Sequence, residues 1–137
     1  MVLCSMVNPR RIGALLEMAE EDLAGAGALL AISTRLARYH VQQSAEKAVK
    51  ALLELRGLNP GREHRLEALP EMLPQGDPWR EKIQAFDLLS PAATSLRYPT
   101  VEGRIMPPPA RELVEREMDA VAVFIQDVQS SVSKSSD

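Results

Sequence analysis

Apolar residues fall on helical stripes along nearly the whole chain, and no alternating, period-two pattern persists anywhere. Ile12, Leu16, Ala19, Leu23, Ala26 and Leu30 follow one another at steps of four and three, which places them on one face of a helix. Val41, Ala45, Ala48, Leu52 and Leu55 repeat the pattern, as do Val114, Met118, Val121, Ile125 and Val128. Local signals bound these stripes. Asn8-Pro9 reads as a cap followed by a residue preset for the first turn. Ser33 or Thr34 caps the second helix, and Gly57 with Pro60 ends it. The last helix opens at Pro108-Pro109.

Shorter helical pieces lie between. One runs through Leu66, Leu69, Met72 and Leu73, limited by Pro70. Another covers Trp79, Ile83, Phe86 and Leu89 and continues to Leu96, where Arg97-Tyr98-Pro99 stops it. The pattern predicts an all-α fold: an antiparallel up-and-down helical bundle of four main helices plus a short extra helix. At 137 residues the chain makes one domain, large enough to bury a core without staples. The expected boundaries are a flexible N-terminus at 1–8, the bundle at 9–129 and a disordered Ser-rich tail at 130–137.

Charge and composition exclude several function classes. The net charge of −3 provides no global field to gather nucleic acid, so any such contact rests on a local cluster of cations. Cys4 is the only cysteine and forms no internal disulfide. The arginines Arg10 and Arg11 follow the short apolar start, the wrong order for a secretory signal. The longest uncharged apolar run, Ala24 to Ile32, is too short to span a bilayer, so the expectation is a cytoplasmic protein with no membrane contact. No Cys/His metal constellation, glycine-rich phosphate loop or Ser/Cys triad stands out, and neither metal nor cofactor is expected.

A few polar residues break the pattern. Asp22 interrupts an apolar stripe and needs a cation, with Lys47 and Arg97 the candidates. Glu46, Lys50 and Glu54 form an i,i+4 row expected on the solvated face, while Lys47 lies nearer the stripe. His64, between Arg62 and Arg65, either caps the short helix or takes an anion there. Arg97 offers a planar fork suited to phosphate and Tyr98 a face for a base to stack on; the alternative is an Arg97 paired with Asp22 or Glu46. Trp79, Phe86, Met72, Met106 and Met118 read as filling for the core or a dimer interface.

In order and spacing these elements resemble a HEPN domain, the family named for higher eukaryotes and prokaryotes nucleotide-binding. The carriers are Ala19, Asp22, Leu23, Ala26, Leu29 and Leu30, then QQSAEKAVKALL from Gln42 to Leu53, His64 to Leu66, and Arg97-Tyr98-Pro99. The resemblance spans roughly residues 9 to 128. It implies a helical bundle, often homodimeric and often paired with a minimal nucleotidyltransferase, in some cases as a toxin–antitoxin system. Some members are RNases with an Arg-x(4–6)-His motif near the last main helix. Here the residues at that distance from Arg97 are Glu102, Gly103 and Arg104, and no histidine follows His64. A literal Arg-x4-His at Arg35 and His40 lies at the start of the second helix, the wrong place.

The expected function is therefore non-catalytic binding of a nucleotide or RNA phosphate, of a nucleotidyltransferase partner, or of both. Arg97, Tyr98, His64 and Lys47 are the expected binding residues, with Asp22 as the orienting acid. A metal-independent RNase using His64 or His40 with Arg97 is the enzymatic alternative, and a purely structural helical adaptor is the third.

Overall fold

The computed structural model describes residues 7–89 and 97–135. The described residues carry four α-helices and no strand: α1 (Pro9–Leu29), α2 (Thr34–Leu55), α3 (Pro78–Gln84) and α4 (Arg111–Ser135). Two 3-10 turns, Leu69–Met72 and Asp87–Leu89, flank α3.

The caps form where the sequence places them. The Asn8 side chain accepts from the Arg11 amide at 3.2 Å, and Ser33 Oγ accepts from the Leu36 amide at 3.1 Å. At the end of α2 the Leu58 amide donates to the Leu53 carbonyl and the Gly57 amide to that of Glu54, with Gly57 at φ 78°. That is the paired closure of a Schellman cap, and only glycine enters it without a Cβ penalty.

Pairings across the bundle give the helix directions. Arg11 at the start of α1 meets Glu54 at the end of α2, and Asp22 further along α1 meets Lys47 earlier in α2. The two helices are thus antiparallel. Gln129 reaches Glu20, and the side chain of Met118 lies beside Gly27, so α4 also runs against α1. Small residues permit close approach between α1 and α2. Ala19, Ala26, Ala37, Ala45 and Ala48 are fully buried, and Ser44 Oγ donates across the seam to the Ala19 carbonyl at 2.7 Å. At the other side of the core, Phe124 of α4 takes Trp79 and Phe86 edge-to-face at centroid distances of 5.6 and 5.3 Å.

α2 is the central element: more than half of its 22 residues are buried, covered by α1, α4 and the chain that follows α2. This corrects the expectation that Glu46, Lys50 and Glu54 face water. Glu46 and Lys50 are buried, and Glu54 is covered by Arg11. A central helix has no solvated side, so a charged i,i+4 row there is met internally.

Other boundaries shift as well. The last helix starts at Arg111, past the proline run, and continues to Ser135. The stretch from 130 was expected to be disordered, but Val132 extends the stripe beyond Val128 and packs on the core, so the helix continues with it. The short piece near Pro70 is a 3-10 turn, Leu69–Met72, with Pro70 in its first turn, where a missing amide hydrogen costs nothing. Met106 is exposed rather than core. The expected helical turns up to Leu96 lie mostly outside the described residues. No helix among the described residues is long and apolar enough to cross a membrane.

One charge pair ties α2 to α4. Arg38 donates to both Glu117 oxygens, at 2.9 and 2.7 Å, with side-chain exposures of 10% and 3%. Removing one member leaves an uncompensated buried charge. Glu117→Ala is expected to lower the unfolding free energy by about 3 kcal/mol or more in denaturant melts, whereas joint replacement by Arg38→Met and Glu117→Leu recovers most of it.

Candidate functional site

On α2, Tyr39, Gln42, Gln43 and Glu46 stand three or four positions apart and so share one face, with Lys50 a turn further on. The segment after α2 folds back over that face. Gly57 turns the chain, the Asn59 side chain accepts from the Gly61 amide at 2.9 Å, and Glu63 accepts from the amides of His64 and Arg65 at 3.1 and 3.0 Å. Buried Leu66 anchors the far end. Here the structure corrects the reading of His64 as a helix cap: Glu63 satisfies the local amides, and the imidazole turns toward α2.

His64 Nδ1 lies 2.8 Å from Glu46 Oε2, and Lys50 Nζ lies 3.1 Å from the same oxygen. A carboxylate only accepts, so Nδ1 carries a hydrogen and donates to it, leaving Nε2 to face outward. Lys50 approaches Nδ1 at 3.4 Å, two donors sharing one acceptor. The Arg65 guanidinium, hydrogen-bonded to Glu63, holds that exposed carboxyl well below the usual range, at about 2, with the Arg65 and His64 amides contributing.

Arg97 joins the same crevice. Its guanidinium sits over the Tyr39 ring, 4.6 Å from the centroid. Among the described residues no carboxylate lies within ion-pair distance of it, so neither expected partner, Asp22 or Glu46, takes it. Tyr39, Gln42, Gln43, Glu46, His64, Leu66 and Arg97 together line a crevice of about 320 Å³. Glu46 is the only acid of that lining, and its charge is met by Lys50 and His64. The unmet charge is the guanidinium, so the crevice favours an anion.

Of the expected site residues, Arg97 and His64 share the crevice. Lys47 and Asp22 do not join it. They meet each other at the α1–α2 seam, Nζ to Oδ2 at 2.5 Å, with His40 Nδ1 at 3.8 Å from the other carboxylate oxygen. Asp22 thus orients Lys47 and His40, and Lys47 is engaged rather than available. Tyr98 is 72% exposed and outside the lining, although its ring centroid is 5.7 Å from the Arg97 guanidinium. Arg35 donates to the Met106 carbonyl while His40 faces Asp22, so the literal Arg-x4-His is divided between two unrelated contacts. The sequence reading missed Tyr39, Gln42 and Gln43 as a wall; their spacing with Glu46 along one helix was the available signal. Among the described residues no group of three or more His, Cys, Asp or Glu gathers closely enough to hold a metal ion.

Comparison with known proteins agrees with this architecture. A family model described as "HEPN domain" matches residues 12–131. The chain is similar in structure to an archaeal HEPN homologue known from a crystal structure, with a TM-score of 0.58 and 21% identity over 88% of this chain and 97% of that one. No curated protein matches the chain significantly.

Two measurements probe how the crevice is held. Glu46→Ala leaves Lys50 buried without its counter-charge and unties His64. Stability is expected to fall by about 3 kcal/mol, and amide hydrogen exchange over residues 58–66 to accelerate. For Glu63, a carbon-detected NMR titration should show a midpoint near pH 2 that returns to the ordinary carboxylate range in Arg65→Ala. Because the folded value is depressed, the contribution of Glu63 to the turn is complete above about pH 4.5 and is lost as pH falls through about 2.

Proposed function

Starting from a chain that belongs to the HEPN domain family, we propose that the crevice between α2 and the segment after it binds the phosphate of a nucleotide or of RNA, without cleaving it. The observation that carries this reading is the Arg97 guanidinium, laid on Tyr39, with no carboxylate partner among the described residues, in the same crevice as His64. Stacking on the ring holds the cation in place before any ligand arrives, and a planar fork held this way takes two phosphate oxygens at once. His64 adds a second donor, kept in register by Glu46. Lys47, engaged by Asp22, acts through the α1–α2 seam and not through the ligand. Tyr98, close to Arg97 and exposed, is the ring against which a protruding base stacks.

The same reading makes the protein a cytoplasmic homodimer that pairs with a minimal nucleotidyltransferase in a two-component, toxin–antitoxin-type system. Co-purification of such an enzyme with the tagged chain is its test.

A second reading is supported by one specific observation. Glu46 against His64 Nδ1 leaves Nε2 as a general acid or base beside a guanidinium, the pair that metal-independent RNA cleavage needs. Cleavage of RNA by the pure protein, lost in both His64→Ala and Arg97→Ala, would establish it in place of binding alone.

Thermal shift tests the binding proposal. A nucleotide at about 100 times its Kd stabilises by about 2.7 kcal/mol, several degrees in Tm. Arg97→Ala is expected to abolish that shift while leaving the unliganded Tm nearly unchanged, because it removes only the two cation–π contacts of an exposed side chain. A wild type that no nucleotide shifts, together with an Arg97→Ala variant that melts markedly lower, contradicts the proposal and favours a structural adaptor.

A further inference from the structure

The two ring nitrogens of His64 are not equivalent. Nδ1 lies 2.8 Å from Glu46 Oε2, which only accepts, so Nδ1 keeps its hydrogen in either charge state of the ring. A neutral imidazole carries one hydrogen. With that hydrogen held at Nδ1, Nε2 is a bare lone pair, an acceptor. A phosphate oxygen is an acceptor too, and two acceptors repel. His64 therefore donates to an anion through Nε2 only after the ring takes a second proton.

The charges around the ring favour that proton when an anion is present and oppose it when none is. From α2, Glu46 and Lys50 face His64, with Lys50 Nζ 3.4 Å from Nδ1. They also meet each other at 3.1 Å, so their charges cancel. On the segment of His64 itself, Glu63 pairs with Arg65, and Arg62 is exposed. Arg97 lines the same crevice, and no carboxylate among the described residues lies within ion-pair distance of its guanidinium. A second cation on His64 is thus resisted in the empty crevice. An anion that enters with one proton leaves the net charge of the crevice where it was, and the resistance disappears. The imidazole is 73% exposed, so solvent supplies the proton directly.

We infer that the crevice binds its anion together with a proton, which His64 takes up at Nε2 as the phosphate enters. The inference rests on the anion-site reading above and adds its regulation. No covalent bond to the ligand forms or breaks, and the proton comes from the buffer. By reciprocity, the factor by which the anion tightens the proton is the factor by which the proton tightens the anion. Histidine changes charge between about pH 5 and 8, so the site loads as pH falls through that range and empties as pH rises.

Calorimetric titration of the full chain with a dinucleoside monophosphate tests it. The single phosphodiester of that probe keeps a constant charge over this range, so any proton gained is the protein's. Near pH 7, in buffers of different ionisation enthalpy, the heat is expected to vary with a slope approaching one proton taken up per molecule bound. Between about pH 7 and 8 the Kd is expected to rise by up to about tenfold. His64→Gln keeps a donor in place but does not titrate; it should bind with one Kd from about pH 5 to 8 and take up no proton. His40→Gln, which changes the only other histidine, should keep the wild-type uptake. Should His64→Gln fail to fold, NMR titration of the wild-type imidazoles decides: saturating dinucleotide raises the His64 midpoint and leaves that of His40 in place. Binding without proton uptake, uptake that survives in His64→Gln, or uptake that vanishes in His40→Gln overturns this inference and leaves the anion site standing. No binding of the dinucleotide anywhere from about pH 5 to 8 overturns both.

Discussion

The buried carboxylate of Glu46 organises one whole side of the molecule. A charge on the central helix is costly unless it is met, and here Lys50 from the next turn and His64 from the returning segment meet it together. The ammonium gives neutrality, and the imidazole gives attachment. Beyond the cap bond from the Leu58 amide to the Leu53 carbonyl, that second contact is what fastens residues 58–66 onto α2 among the described residues, and without it the crevice would have one wall instead of two. The Schellman turn at Gly57 and the Glu63-centred turn deliver His64 to its position, so the closure is built from local geometry and completed by one long-range contact.

The polar residues of α2 separate onto different faces of that helix. Toward α1, Asp22 gathers Lys47 and His40 over a seam of alanines, a stitching role. Toward α4, Arg38 and Glu117 form a pair in which each fork is filled. Toward the returning segment, Glu46 is satisfied, but Gln42 and Arg97 retain capacity that the described residues do not use. The first two faces spend their hydrogen bonds on the fold. The third leaves some over, which is why it reads as the place where another molecule fits.

Features set by a few neighbouring residues were legible in the sequence: the caps at Asn8 and Ser33, the stop at Gly57, and the stripes of the long helices. Each depends on local backbone geometry or on the helical period alone. What failed to read out was whatever depends on which helix is central. Glu46 and Lys50 look like a solvated i,i+4 pair because their spacing is the same on a surface helix and a buried one. The continuation of the last helix past Val128 depends on Val132 finding the core, which its serine-rich surroundings conceal. Within the site, His64 and Arg97 were visible as isolated cations, but their convergence is a tertiary fact. Tyr39 carried only its helical spacing with Glu46, and its part in the site shows once Arg97 is seen lying on its ring. Lys47 looked equivalent to them and is not, because Asp22 reaches it first.

A crystal structure of the full chain grown with a nucleoside 5′-monophosphate tests the account most directly. The account places the phosphate between the Arg97 guanidinium and His64 Nε2, with Arg97 still over Tyr39 and the base against Tyr98. A phosphate bound elsewhere, for instance in the cleft lined by Asn8, Arg11 and Gly61, with Arg97 turned away from Tyr39, would contradict it.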